Sequence, residues 1–260
     1  MHVFAVAGDG AEAGLERLLA ELDGRVGVVR RTGTAGDGGV VAARGDTEYV
    51  VDGDEWRASG NGLSMGEAVD RLAPDHEYAA LVGAGTADVP TIAVNGGPDD
   101  AEVTVPRADA LDAEAARDAI RGADPRETLE SLVAAVKRSA AADRAGAIST
   151  FTGRVRERDG VDDDPTEYLE FEKYDGVAEG TMRTIERELE EREGVLDVRL
   201  HHRTGRVEAG EDIVFVVVLA GHRREAFRAV EDGIDRLKDE VPLFKKEVTA
   251  SETFWVHERE

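Results

Sequence analysis

The chain has 260 residues, of which 56 are acidic and 32 basic, giving a formal net charge of −24. A field of that sign repels phosphate backbones and anionic membranes, which argues against a general nucleic-acid or membrane-surface role. Cysteine is absent, excluding disulfides, thiolate metal sites and cysteine nucleophiles, and at 41% hydrophobic the chain is too apolar for an acidic disordered protein.

The length accommodates one large or two medium domains. Carboxylates spread along the whole chain, with lysine scarce, point to a surface adapted to high salt, where screening cuts self-repulsion. The opening MHVFAVAGDG has no basic leader or cleavage site, and no run approaches 18 apolar residues. The expected location is the cytoplasm.

In chain order, His2–Ala7 reads as a buried strand, followed by a glycine turn and a helix through Leu22, with Leu15, Leu18, Leu19 and Leu22 on its apolar face. Short strands are expected at Val26–Arg31, Val40–Arg44 and Glu48–Val51, the last two joined at Gly45-Asp46. Ser64 and Glu67 have capping-box spacing for a helix to about Leu72. Strands at Tyr78–Val82 and Thr91–Val94 and a helix from Asp112 to Arg121 complete an α/β unit over residues 1–122. Gly122–Pro125 reads as a junction. Asp124, Pro125 and Glu127 look like the cap, first position and box partner of a helix running to Arg138. Strands at Ala147–Arg156 and Tyr168–Glu172, a helix from Val177 to Arg192, and strands at Val198–Arg203 and Asp212–Ala220 follow. A helix from Arg223 to Glu240 and strands at Lys246–Ala250 and Phe254–His257 end the chain. Residues 123–260 therefore read as α+β rather than doubly wound. No internal repeat is evident.

Only five lysines stand beside twenty-seven arginines, and three of them, Lys238, Lys245 and Lys246, fall within nine residues. Arginine stays protonated at any working pH, whereas burial and neighbouring cations can tune a lysine amine. The cluster therefore suits amine chemistry. His222 and Arg223 open a helix after the apolar strand IVFVVVLAG, where helix amides favour an anion. Arg154 and Arg156 close the strand FTGRVR, with Val155 between them. Together these groups would form a basic pocket in an acidic protein. His201 and His202, adjacent on a strand, face opposite sides and do not readily share a metal. No catalytic metal and no cofactor is expected. The first glycine turn resembles a phosphate cradle, but Leu15 and Glu16 occupy the positions of the P-loop lysine and hydroxyl residue. A tight turn entering a packed helix is the better reading of it.

The segments GAISTFTGRVRE, LEFEKYDGVAEGTM, HHRTGRVEAGEDIVFVVVLAGHRREAF, DRLKDEVPLFKKE and WVHERE resemble, in that order, the large catalytic subunit of molybdopterin synthase. The resemblance covers about Asp124 to Glu260. It implies an α/β hammerhead-like fold that dimerises, with a small ubiquitin-fold subunit at each end of the heterotetramer. It also implies sulfur transfer from that subunit's C-terminal Gly-Gly thiocarboxylate to cyclic pyranopterin monophosphate, forming the dithiolene of molybdopterin. By the same resemblance Lys238 and Lys245 are the catalytic and isopeptide-forming lysines. Arg154, Val155, Arg156, His222, Arg223, Lys246 and Glu247 line the substrate, and Arg259 reaches in from a neighbouring subunit. Leu243-Phe244 replaces the two aromatics found in many members. The first 120 or so residues resemble more loosely the P-loop protein of molybdopterin guanine dinucleotide assembly, in degenerate form, through the strand–turn–helix opening and ALVGAGTADVPTIAV. Two rival readings are an adaptor that binds a ubiquitin-like tail without turnover, and a nucleotide-dependent maturation factor acting through the N-terminal domain.

Overall fold

A computed structural model describes residues 1–31, 47–83, 89–158, 160, 164–174 and 176–249, and the backbone of 253–256. The expected strand Val40–Arg44, its Gly45-Asp46 turn, and Arg259 lie outside the described residues. The chain divides into two compact units, Met1–Glu127 and Thr128–Glu260.

The first unit is built on the parallel strands β1 (His2–Ala7), β2 (Val26–Arg30), β5 (Tyr78–Val82), β6 (Thr91–Val94) and β7 (Val103–Val105), ordered β2-β5-β1-β6-β7. A parallel sheet must be covered on both faces, which is why β5 and β6 are buried throughout and, Thr91 apart, largely apolar. Phe4 and Val6 of β1 pack against Leu15 and Leu18 of α1 (Ala11–Leu19) and Ile120 of α3 (Ala113–Gly122). Val3 and Ala5 point the other way, onto Val69 of α2 (Met65–Leu72). Leu19, expected on the buried face of α1, is exposed. The Ser64 capping box forms as its spacing predicts: the Ser64 hydroxyl accepts from the Glu67 N–H at 3.2 Å, and the Ser64 N–H donates to Glu67 at 2.7 Å. β3 (Thr47–Asp52) pairs with β4 (Glu55–Gly60), turning at Gly53 and Asp54.

The unit boundary falls a few residues beyond the expected one, for a physical reason. Glu127 receives the Met1 ammonium at 3.5 Å, and Arg126 pairs with Asp70 at 2.6 Å, tying this segment to the first unit. The Asp124–Glu127 capping box is therefore not the one used. Thr128 caps α4 (Leu129–Lys137) instead, with Ser131 as its box partner.

In the second unit, β10 (Val195–His202), β12 (Asp212–Ala220) and β8 (Ala147–Arg154) form an antiparallel sheet. Alternation along β12 splits its apolar run between two layers. Val214, Val216, Val218 and Ala220 face α5 (Val177–Glu190) and α6 (Arg223–Glu240), while Phe215, Val217 and Leu219 face α4. The edge strand β10 is protected from the α5 side: Glu190 and Glu186 accept the N–H groups of Val198 and Leu200 at 2.9 and 2.7 Å. Burial raises the pKa of the Glu186 carboxyl above the usual carboxylate value. A second antiparallel sheet runs β11-β9-β13-β14, from β9 (Thr166–Lys173), β11 (Gly205–Glu208), β13 (Leu243–Thr249) and β14 (Thr253–Val256). The antiparallel sheets agree with the α+β reading of this half.

Candidate functional site

Helix α6 leaves the end of β12 and runs back along it, packed on β12 and β8. Because β8 is antiparallel to β12, the C-terminal end of α6 arrives where β8 ends. Gly233 marks the crossing, since a Cβ there would lie 3.1 Å from Val216, the partner of Phe151. Lys238, exposed on the last turn of α6, is thus carried to the same end of the layer as Arg154, Val155 and Arg156.

The chain turns at Val241-Pro242 into β13, whose third residue is Lys245. Lys245 pairs with Phe171 of β9, and directly opposed residues share a face of the sheet. Phe171 packs with Val155, Leu169 and Val207 in a small buried core. Val155 is therefore the anchor that the sequence placed between two arginines. Its N–H donates to the Glu211 carbonyl at 2.9 Å, and its carbonyl accepts from the Gly210 N–H at 2.9 Å. Lys238 and Lys245 thus lie on either side of the turn from α6 into β13, and Val155 packs on the cross-strand partner of Lys245.

The other candidates divide. Lys246 lies on the opposite face of β13 from Lys245, and its ammonium meets Glu170 at 2.9 Å. That hydrogen bond holds its pKa above the ordinary lysine value. Glu247 is on the Lys245 face and accepts from the Thr166 hydroxyl at 2.5 Å. Arg154 is taken by Asp212 at 3.1 Å and by the Gly210 carbonyl. His222 and Arg223 stand at the far end of α6. Sixteen residues separate His222 from Lys238, and at 1.5 Å of rise per residue that is about 24 Å. Within one chain these groups do not share a pocket with Lys238. The expectation that all the cations meet in one hollow is corrected to that extent. The signal was available, because a helix from Arg223 to Glu240 already implies this separation.

His201 and His202 face opposite sides, as strand alternation requires. His201 stacks on Phe215 at 6.2 Å, and His202 meets the edge of Phe171 at 4.7 Å. Sequence reasoning missed Phe171, the cross-strand partner of Lys245, and His202, which touches Phe171, because cross-strand pairing cannot be read before topology. Burial lowers the pKa of His202 to about 4, despite its ring contact with the Arg203 carbonyl at 2.7 Å. The unfolded imidazole titrates near 6.5, so between pH 6.5 and 4 the unfolded chain binds a proton that the folded chain refuses. His202 thus contributes fully above pH 6.5, and its contribution is lost as pH falls, by about 1.4 kcal/mol per unit. Urea unfolding of His202→Gln should show a shallower loss of stability than the parent over that range. Equal slopes would remove His202 as a source.

In the first unit the glycine turn is occupied by packing. Gly8 has φ of +92°, and a Cβ there would sit 2.1 Å from the Gly96 carbonyl oxygen. A Cβ at Gly10 or Gly14 would lie 2.6 or 2.7 Å from Val94. Helix α1 begins at Ala11, so Leu15 is inside the helix and only 1% exposed. A cavity of about 660 Å³ beside this turn is lined by Asp9, Glu12, Asp100 and Glu102, which repel a phosphate.

The second unit is thus an α+β fold with two lysines on either side of one helix–strand turn. The family model for MoaE protein matches residues 126–240. A probable molybdopterin synthase of Haloferax volcanii is 52% identical over 266 aligned residues, covering all of both chains. The molybdopterin synthase catalytic subunit of Cereibacter sphaeroides is 42% identical over 45% of this chain and 77% of its own. The crystal structure of molybdopterin synthase from Staphylococcus aureus aligns at 35% identity over 45% of this chain and 83% of that one, with a TM-score of 0.42. The chain belongs to the molybdopterin synthase family, with its MoaE domain in the C-terminal half.

Proposed function

We propose that the C-terminal unit is the catalytic subunit that moves sulfur from the C-terminal thiocarboxylate of a small ubiquitin-fold carrier onto cyclic pyranopterin monophosphate. The reading is supported by one observation: Lys238 in the last turn of α6 and Lys245 near the start of β13 flank the Val241-Pro242 turn, and Phe171, the cross-strand partner of Lys245, packs on Val155. A chain without cysteine has no side chain of its own to carry transferable sulfur, so a partner supplies it.

In this reading the thiocarboxylate sulfur bonds to a substrate carbon as a carbon–oxygen bond of that carbon breaks, the oxygen leaving as water or staying on the opened phosphate ester. Water then cleaves the acyl–sulfur bond, leaving a carboxylate on the carrier and sulfur on the pterin. Lys238 moves a proton at the acyl carbonyl or the substrate carbon, or takes the acyl group itself. Lys245 positions the substrate and stabilises developing charge. Arg156 holds the phosphate, and Val155 fixes the segment that bears it. His222 and Arg223 are about 24 Å from Lys238 in the same chain, so they serve the site of a second copy, along with Arg259. This accounts for a homodimer with one carrier at each end. The N-terminal unit is a scaffold or partner-binding relative of P-loop proteins, without nucleotide hydrolysis.

The test is direct. The purified chain, mixed with thiocarboxylated carrier and the pterin, should form a dithiolene. Binding of the carrier tail without turnover would favour the adaptor reading, and GTP binding by the full chain would favour the nucleotide-dependent one.

A further inference from the structure

Lys173 is the last residue of β9 and pairs with Leu243, two residues before Lys245 on β13. The register places Lys173 and Phe171 on the same face as Leu243 and Lys245. Unlike Lys238, Lys173 is largely buried: its side chain is 13% exposed and its ammonium rests on a carboxylate oxygen of Glu179. The second oxygen of Glu179 accepts the Gly176 N–H at 2.9 Å. Gly176 is the N-cap of α5, with φ of +75°, a conformation that suits glycine. A single carboxylate therefore ties the end of β9 to the first turn of α5. Lys173 holds the Glu179 carboxyl below the usual carboxylate range, keeping it charged for both contacts.

Between these tied points lies Tyr174, more than half exposed, whose ring meets Phe244 edge-on at 5.3 Å. Phe244 immediately precedes Lys245. The order of contacts is thus Lys173 to Glu179, Glu179 to Gly176, Tyr174 to Phe244, and Phe244 to the backbone of Lys245.

We infer that Lys173 is a positioning residue for the sulfur-transfer site, acting through Glu179 and the Tyr174–Phe244 pair to hold the start of β13 where Lys245 works. The inference rests on the proposed function above. It assigns Lys173 no proton transfer and no acyl group, only the geometry of its neighbour. A displacement of about 1 Å at a reacting group can cost on the order of 100-fold in rate, so a partial loosening of this corner should cost about tenfold.

The experiment measures dithiolene formation under saturating carrier and pterin for the parent, Lys173→Met and Lys173→Arg. The parent must turn over. If it does not, the functional reading fails and the role of Lys173 is not what failed. With an active parent, Lys173→Met should lower kcat about tenfold with KM for both substrates within twofold, and Lys173→Arg, which keeps the ion pair, should stay within threefold of the parent. A Lys173→Met kcat within twofold of the parent, or an equal loss in Lys173→Arg, overturns the inference. Should Lys173→Met not remain folded at the assay temperature, Tyr174→Ala leaves the ion pair in place and removes only the ring against Phe244. A comparable kcat loss there supports the inference, and an unchanged kcat overturns it.

Discussion

Lys238→Arg should slow dithiolene formation by about 100-fold or more, the scale associated with losing a positioned proton donor or acceptor. Arginine keeps the positive charge but stays protonated, so it can neither exchange a proton at the acyl carbonyl nor accept an acyl group. The substitution isolates chemistry from stability, because Lys238 is exposed on the last turn of α6 while Ile234 and Leu237 carry the packing. Near-normal turnover by the purified variant with thiocarboxylated carrier would remove the proton-transfer role. The same chemistry exposes a lysine beside an activated glycine carbonyl to acylation. Gly-Gly remnants should therefore appear by peptide mass spectrometry on Lys238 first and Lys245 second. Remnants confined to Lys137 or Lys173 would count against the assignment.

The separation along α6 leads to an equally large effect. On the proposed homodimer, Lys238→Ala and Arg223→Ala, each nearly inactive alone, should recover activity when unfolded together in equal amounts and refolded as mixed dimers. In a mixed dimer one site inherits both defects and the other is intact. Random pairing gives mixed dimers half the time, so recovery should reach about a quarter of parent activity. If Arg223 served the Lys238 of its own chain, every site in a mixed dimer would carry one defect and no recovery would occur. Activity of the refolded mixture, normalised to refolded parent, separates the two arrangements.

The strands that could be read from sequence are those whose burial leaves no choice of residue. β1, β5 and β12 are apolar runs because both of their faces are covered, and a run such as IVFVVVLA has no polar alternative. The Ser64–Glu67 box was legible because both of its contacts are local. β4 was not: EWRASG is almost entirely exposed, and its pairing with β3 leaves no hydrophobic signature. The start of α4 was misread for a different reason. Asp124-Pro125-Arg126-Glu127 has the right letters for a cap, but Glu127 meets the ammonium of Met1, a partner 126 positions away in sequence. Long-range contacts of that kind override local spacing.

The site shows the same division. Lys238 and Lys245 were singled out by their clustering and by the resemblance, and they lie on either side of the turn from α6 into β13. Lys246 was grouped with them by adjacency, although neighbours on a strand necessarily face opposite ways. Phe171, His202 and Lys173 lay beyond sequence reasoning, because each acquires its place only through the pairing of β9 with β13 or the packing of β10 against it.

The glycine turn of the first unit bears on evolvability. Exchanging Leu15 and Glu16 for lysine and serine would drive an ammonium into a core bounded by Phe4, Val6 and Val94. Val94 also lies close against Gly10 and Gly14, so the entry to α1 is already packed. Two substitutions therefore could not create a phosphate site here, because side chains already fill the space such a site would need.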